Sequence, residues 1–534
     1  MAWLTGAGYY EYQHPPLARV VAALPLSLQG FEWPQPMSRR LTPGKGSFCS
    51  QQGHWVLNWR GDQPRDLAAA RAAMLVFFVV GAGIVWLWSL RLFGELPAAV
   101  ALGLYVCLPP ILGHAGLATT DMAVSALLVA ALYAFVRWLE APSLRSSLVL
   151  GLLAGLAVGS KFSALLFLPA GVLGVLLTAW AIERSPPGGI AREVLRRTRF
   201  VAVSVLVLFV TVWALYRFRV DPSFGPISDR PSIGAVPEAR ARTLKGAIYE
   251  LLKTPIPAGG AIRGIREVLQ HQGRGHFSYF FGEFRYRGWW YYYPVELGIK
   301  SPMAFLLLAL AGAFASLRGS ARARSWQTLA PLSCAVAILA AAMISQINIG
   351  VRHVLPVYLL LCIVASRAVY DASRSSRRLA SLGAVALLVG WLGVYSFHEH
   401  PDYLASFSEL VRAPEKIVSD SDLDWGQDLR RLSARVHELG IEKIAIGGCT
   451  ACDAACMNLP DTCELDPWEP TSGWVAIGEW CLRVWARRNE PERPGAFAWL
   501  EGRSYERIGK SIRLYNVNLS PGAGEASAAS PIGP

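Results

Sequence analysis

Charged residues are scarce: Asp, Glu, Lys and Arg make up 17% of the 534 residues, where a soluble protein of this size carries about a quarter. The stretches Leu67–Leu90, Asp121–Trp138 and Leu148–Ile182 are almost free of charge. A hydrocarbon core of about 30 Å takes about 20 apolar helical residues to cross, so these runs exclude a soluble enzyme built on one large core. Acidic residues are the scarcer sign, 38 against 51 basic ones, for a net charge of +13. In a soluble chain that excess would raise nucleic acid as a partner. Zinc-finger spacing and other nucleic-acid motifs are missing, however, and the arginines fall in short loops between apolar segments, where membrane topology places them. Internal repeats and paired ionisable groups at mid-membrane, the marks of a transporter, are not evident either.

What is present is a series of about ten apolar spans, at 67–90, 96–113, 121–138, 146–160, 162–182, 199–217, 295–317, 327–346, 352–370 and 379–397. Alternate loops are rich in arginine (Arg192, Arg196 and Arg197 in one, Arg374, Arg377 and Arg378 in another), whereas "GHAGLATTD" has no basic residue but its histidine and "QINIGVRH" has only Arg352 and His353. The arginine-rich loops are therefore expected in the cytoplasm. The segment 1–66, the long loop 218–294 and everything after 397 are expected outside. An even number of spans puts both termini outside, yet "MAWLTGAGYY" has no apolar run to deliver the first. The reading is thus a polytopic α-helical membrane domain over 67–397, preceded by an outer loop over 1–66, with one more span and loop expected before residue 1.

The tail is a different material. "DWGQDLRRLSARVHELG" places Leu429, Leu432, Val436 and Leu439 at helical spacing, Gly440 stops it, and "EKIAIGG" follows as a strand. "GWVAIGEWCLRVWARR" and "KSIRLYNV" suggest a further helix and strand, giving a small extracytoplasmic α/β domain over 398–518. The Pro/Gly-rich end, 519–534, is expected to be disordered. Of nine cysteines, Cys449, Cys452, Cys456, Cys463 and Cys481 crowd into this tail. An oxidising exterior favours disulfides among them over metal ligands or free thiols, with the pairing open.

Several polar groups sit at outer span ends. In "QHPPLARVVAALP" the prolines suit the start of a helix too short to span, which would lie in the interface close to His14 and Arg19. Asp121 opens a span and reads either as a helix-start carboxylate or as a carboxylate facing an outer cavity. Lys161 interrupts a long apolar run. It is either a snorkelling lysine or one with an anionic partner, a lipid phosphate being a natural candidate. Arg352 and His353 adjoin another span end, and an arginine fork suits phosphate oxygens. The aromatic run "HFSYFFGEFRYRGWWYYYP", with Trp289, Trp290 and Tyr291, reads as an interfacial belt or as a surface for stacking sugars. Asp422, Asp424 and Asp428 suggest a divalent ion or a helix N-terminus with a cap among them; the cap is the preferred reading, and no residue set demands a metal.

These segments taken together resemble a known family. "HPPLARVVAALP", "GHAGLATTDMAVSALLVAALYAFVRWLEAPSLRSSLVLGLLAGLAVGSKFSALLFLP", "GEFRYRGWWYYYPVELGIKSP", "NIGVRHVLPVY", "SDSDLDWGQDL" and "RIGKSIRLY" run in the order found in the phospholipid-carrier-dependent glycosyltransferases of the GT-C fold. The branch is the bacterial one related to protein O-mannosyltransferases and to the aminoarabinose transferase of lipid A. The resemblance implies a bacterial inner-membrane enzyme that moves a sugar from a polyprenyl-phosphate donor to a protein, lipid or glycan acceptor on the outer side. It implies Asp121 as a supporting catalytic group and Lys161, Arg352, His353 and His14 near the donor phosphate. Trp289, Trp290 and Tyr291 would contact sugar or acceptor. No cofactor beyond the donor is firmly implied. The family's first outer loop carries an Asp-Glu pair, which is expected upstream of residue 1. If no such pair exists, the alternative is an inactive scaffold. Ser421-Asp422 stands where the family usually has Ser-Asn.

Overall fold

The computed structural model describes residues 12–30, 63–183, 197–222, 254–323, 325–419, 421–447, 458–485 and 494–519. Helix α1 (Pro16–Leu28) precedes a membrane bundle made of α2 (Gln63–Phe93), α3 (Glu95–Cys107), α4 (Pro109–Ala115), α5 (Asp121–Glu140), α6 (Leu144–Ser160), α7 (Ala164–Glu183) and α8 (Thr198–Leu215). After α9 (Gly259–Arg274), the bundle continues with α10 (Tyr292–Lys300), α11 (Met303–Ala323), α12 (Ala330–Met343), α13 (Leu355–Ser373) and α14 (Arg378–His398). Two small hairpins flank α9: β1 (Val220–Pro222) with β2 (Pro255–Pro257), and β3 (Ser278–Phe280) with β4 (Glu283–Arg285).

The chain is a multi-pass membrane protein, but with fewer full spans than the ten read from the sequence. Six helices among the described residues are long and apolar enough to cross, or up to eight if each of two bent pairs counts as one span. Prolines cause both bends. Leu108 precedes Pro109 and is extended (φ −78°, ψ 118°), so α3 and α4 meet at 62°. Ser301 precedes Pro302 and is likewise extended, and α10 and α11 meet at 119°. A residue before proline is pushed out of the helical region by the pyrrolidine ring, which a hydropathy window does not register. The spans expected at 146–160 and 327–346 are α6 and α12, helices of 17 and 14 residues, the first at the lower end of the length that crosses a bilayer and the second below it.

Burial ranks the helices. Of the most apolar stretch of α5, 83% is buried, against 6% for α8, so α5 is the axis of the bundle and α8 a peripheral helix. α6 lies against α8 through Gly151, Gly155 and Gly159, one per turn; a Cβ on Gly155 would stand 2.6 Å from Thr211 Cβ. Small residues at this spacing let two helix backbones approach where lipid supplies no hydrophobic drive. Ser143 and Ser146 close the start of α6 as a capping box. α6 then ends at Ser160, and Lys161 is extended (φ −158°, ψ 136°) before α7 begins. This break turns the Lys161 side chain toward the start of α5.

The tail forms a compact α/β unit. Helix α15 (Leu429–Glu438) packs on a sheet of β5 (Lys443–Ile446), β6 (Asp461–Glu464), β7 (Gly473–Gly478), β8 (Glu506–Ile508) and β9 (Ile512–Val517), in the order β6-β5-β7-β9-β8. β5 is parallel to β6 and β7, whereas β9 is antiparallel to β7 and β8. Leu429, Leu432 and Val436 of α15 meet Ile444, Ala476 and Leu514 on one face; Val475, Ile477, Phe497 and Tyr515 fill the other. The segment expected to begin with a helix, "GWVAIG", is strand β7, paired along its length with β9. Cys481 is disulfide-bonded, as expected. Cys463, expected in a disulfide, is a free thiol on β6 and lies 3.9 Å from the Ile444 carbonyl; its strand position fixes it there. Cys449, Cys452 and Cys456 lie outside the described residues.

Buried Lys300, at the end of α10, ties bundle to tail. Its Nζ donates to the carbonyls of Leu404 (2.8 Å) and Asp422 (2.9 Å) and lies 3.9 Å from the centre of the Phe407 ring. Two carbonyls and an aromatic face disperse the ammonium charge, and the Asp422 and Glu296 carboxylates interact with it electrostatically.

Candidate active site at the helix ends

The start of α5, the break after α6 and the turn before α13 converge. Asp121 is the first residue of α5, but its side chain makes no cap bond. Its Oδ1 instead accepts a hydrogen bond from Lys161 Nζ at 2.6 Å. Asp121 is buried and Lys161 half-buried, the side chains 3% and 14% exposed. Lys161 is therefore not snorkelling to a distant interface. An ammonium has three donors and this bond uses one, so Lys161 keeps capacity for an anion while Asp121 fixes its position.

Arg352 and His353 lie in a 3-10 turn, Val351–Val354, leading into α13. Arg352 donates from Nε to the Ile349 carbonyl at 3.0 Å, and its guanidinium stacks 4.6 Å from the centre of the Trp425 ring. Its terminal nitrogens make no hydrogen bond among the described residues. The Asp121 carboxylate interacts electrostatically with Arg352 and His114 as well as with Lys161. His353 interacts with Lys161, Asp121 and Arg352. Its ring lies between Phe167 (5.1 Å) and Tyr293 (5.2 Å), both nitrogens buried and without a hydrogen-bond partner among the described residues. The structure thus brings together Asp121, Lys161, Arg352 and His353.

His14 does not join them. It is exposed at the start of α1, with its carbonyl 3.5 Å from Arg19 Nη1, and no hydrogen bond or ion pair links it to Asp121, Lys161 or Arg352. The aromatic candidates divide. Trp289 is 3% exposed, packed on Phe280 and under the Arg285 guanidinium, so it has no face free for a sugar. Trp290 is 68% exposed and Tyr291 is 37% exposed.

Sequence reasoning missed the groups that hold this site from behind. His114 is buried, its Nδ1 2.8 Å from the Pro110 carbonyl and its ring 6.5 Å from that of Trp425. Trp425 and Asp422 both come from "SDSDLDWGQDL". Asp422 Oδ1 accepts the Val351 N–H at 3.0 Å, and Ser421 Oγ donates to the Ile349 carbonyl at 3.0 Å. The tail motif thereby clamps the turn that carries Arg352. Both residues stood in quoted motifs, but no local signal tells which distant turn they hold.

Gly350 makes the clamp possible. It has φ +92°, and a Cβ there would stand 2.7 Å from the Asp422 carboxylate carbon. Gly350→Ala is therefore expected to push Asp422 off Val351 and to strain the backbone by about 1–3 kcal/mol. A lower Tm and weakened function together would bear this out; an unchanged Tm would contradict it.

The three tail aspartates form no metal-ligating group, and no cluster of three metal-ligating side chains occurs among the described residues. Asp424 Oδ1 accepts the Gly426 N–H. Asp428 directly precedes α15, yet it does not cap it as expected. Its Oδ2 accepts hydrogen bonds from Lys510 N (2.9 Å), Ser511 N (3.0 Å) and Ser511 Oγ (2.8 Å), and its Oδ1 lies 2.9 Å from Arg431. Long-range partners outbid the local cap, so "LDWGQDL" and "RIGKSIRLY" are bound to each other.

Burial pushes the Asp424 carboxyl above its ordinary range, with neighbouring Asp428 and Glu479 adding to the shift. A raised carboxyl stabilises the fold below its unfolded-state value, and that contribution is lost as pH rises through the folded value. Asp424→Asn, which keeps the acceptor oxygen, should raise Tm at neutral pH. The gain should vanish below about pH 4. An equal gain at both pH values would contradict this origin.

Residues 65–216, which include Asp121 and Lys161, match the family described as dolichyl-phosphate-mannose-protein mannosyltransferase. That segment is related in sequence to glycosyltransferases that use lipid-linked donors. No curated protein matches the chain in sequence. Among solved structures it is similar to ArnT from Cupriavidus metallidurans bound to undecaprenyl phosphate, at 12% identity and TM-score 0.46, over 99% of this chain and 93% of that one. It is also similar to the oligosaccharyltransferase AglB from Archaeoglobus fulgidus in complex with an inhibitory peptide and a dolichol-phosphate. There the identity is 14% and the TM-score 0.40, over 84% of this chain and 64% of that one.

Proposed function

We propose that this protein transfers a sugar from a polyprenyl-phosphate donor to an acceptor at the outer face of a bacterial inner membrane, with the tail domain on that side. The observation that carries the reading is the Lys161–Asp121 ion pair beside the open fork of Arg352. Two of these three residues lie inside the segment related to the mannosyltransferase family.

Breaking the bond between sugar and carrier leaves charge on the polyprenyl phosphate, and preorganised cations in a water-poor site lower the energy of that state. Lys161 Nζ and the Arg352 terminal nitrogens are the donors for that oxygen charge. Asp121 holds the ammonium in place. It also offsets part of the cationic charge before the donor arrives, so the empty site does not bury two uncompensated cations. Trp425 lies over one face of the Arg352 guanidinium, which limits the directions from which a phosphate can approach it. His353, wedged between Phe167 and Tyr293, closes the apolar side and keeps water from the donor.

The test is transfer of labelled sugar from a panel of polyprenyl-phosphate sugars by membranes containing the full-length protein. Transfer that depends on Arg352 is expected, with Arg352→Ala reducing it by about tenfold or more. A membrane-inserted, folded protein that transfers none of the panel would remove the reading in favour of a scaffold without activity.

A further inference from the structure

A donor gripped by Lys161 and Arg352 carries its sugar on the phosphate itself, the anomeric carbon being joined to phosphorus through a single oxygen. Whatever borders the cation fork therefore borders the ring. Phe167 and Tyr293 are fully buried against His353 and have no surface to offer. Trp290 and Tyr291 are exposed, but their ring contacts are with each other and with Phe280 rather than with the cations. Trp425 is different: its ring centre lies 4.6 Å from the Arg352 guanidinium, and the residue is 37% exposed.

Its polar handle is open as well. The indole N–H of Trp425 donates to nothing among the described residues, and unlike that of Trp88 it is not sealed in the interior. The loop that presents the ring is braced on itself. The Trp425 backbone N–H donates to Gln427 Oε1 at 2.7 Å, Gln427 Nε2 donates to the Leu423 carbonyl at 2.8 Å, and Asp424 Oδ1 accepts the Gly426 N–H at 3.0 Å. Gly426 has φ +76°, a left-handed turn that suits glycine. A ring positioned in advance loses little freedom when a ligand meets it. A pyranose presents C–H bonds on its faces and hydroxyls around its edge. A half-exposed indole answers both, with a flat apolar surface and one donor. A bare phosphate uses neither.

We infer that Trp425 binds the sugar of the lipid-linked donor: its exposed ring surface packs on the pyranose and its indole N–H donates to a ring hydroxyl. The inference rests on the donor reading proposed above. It divides the labour between two parts of the chain. Lys161 and Arg352 recognise the phosphate that every carrier shares, and the tail motif "LDWGQDL" recognises what the carrier bears.

The experiment measures binding to the purified full-length protein in nanodiscs, with no acceptor present. The probes are bare polyprenyl phosphate and polyprenyl phosphate carrying glucose, galactose, mannose or N-acetylglucosamine. Trp425→Ala should weaken binding of at least one sugar-bearing carrier by about tenfold and of the bare carrier by less than about twofold. Trp425→Phe keeps a ring and loses the N–H, so its fall should be smaller but again confined to the sugar-bearing carrier; this variant decides the matter if the alanine variant does not fold. Arg352→Ala should weaken both kinds of carrier. An equal fall for bare and sugar-bearing carriers would mean that Trp425 only braces Arg352. Unchanged binding of every carrier would mean that the ring faces something other than the donor. Either result overturns the inference while the phosphate grip stands. A sugar-selective loss in a protein that transfers none of these sugars would leave the inference standing and remove the transferase reading. Wild-type protein that binds no carrier would overturn both.

Discussion

Lys161→Ala is expected to cut sugar transfer by about 100- to 1,000-fold, the range seen when one preorganised donor to a developing oxyanion is removed. The fall should appear in kcat with little change in KM, because the phosphate carries more charge in the transition state than in the bound donor. Lys161→Arg should restore only part of the rate, since a guanidinium cannot occupy the ammonium's place 2.6 Å from Asp121 Oδ1 without moving it. Asp121→Asn keeps an acceptor oxygen and loses the charge, so it should lower kcat less than Lys161→Ala. A Lys161→Ala protein with full activity would show that the ammonium serves only to neutralise Asp121.

Asp428→Ala is expected to have the largest effect on stability. Three donors, Lys510 N, Ser511 N and Ser511 Oγ, lose their acceptor, and two of these belong to a serine that is fully buried. At about 1–3 kcal/mol for each donor left unsatisfied, with hydration recovering part for Lys510, the loss is about 3–6 kcal/mol. Arg431 keeps its second partner, Asp402, at 2.6 Å, so the loss should be localised to the junction of α15 with β9. Hydrogen exchange should show faster exchange in both segments, with α5 and α13 unaffected. Asp428→Ala with wild-type protection in α15 and β9 would mean that the junction rests on apolar packing alone. Because Trp425 lies three residues upstream of Asp428 and stacks on Arg352, transfer should fall as well.

The contrast between Asp121 and Asp428 shows what the sequence conveys. Each stands at the start of a helix, and local preference makes each a cap. Neither caps. Asp121 pairs with Lys161, 40 residues away, and Asp428 with Lys510 and Ser511, more than 80 residues away. What was legible was the anomaly: a lysine inside an apolar run and a carboxylate at a span end each need a partner in a low-dielectric setting. That they satisfy each other is tertiary information. The helix α15 and the strand after it were legible because amphipathic spacing and Gly440 are local signals. The bends at Pro109 and Pro302 were less so, since a hydropathy window averages over the residue that breaks the helix. Trp289 looked like its neighbour Trp290, yet one is buried and the other exposed; which of two adjacent rings turns inward is decided by the packing of Phe280 and Arg285, not by the dipeptide. Lys300 gave no signal beyond its charge, because its partners are backbone carbonyls of Leu404 and Asp422.

The central claim is that Lys161 and Arg352 grip the phosphate of a polyprenyl carrier. The most direct measurement is the binding of polyprenyl phosphate, without sugar, to the purified full-length protein in nanodiscs, compared with the Lys161→Ala/Arg352→Ala double variant. The account predicts saturable binding that the double variant weakens by about 100-fold or more, two charge-assisted contacts being lost. Equal binding by the two proteins, with the fold intact in both, would contradict it.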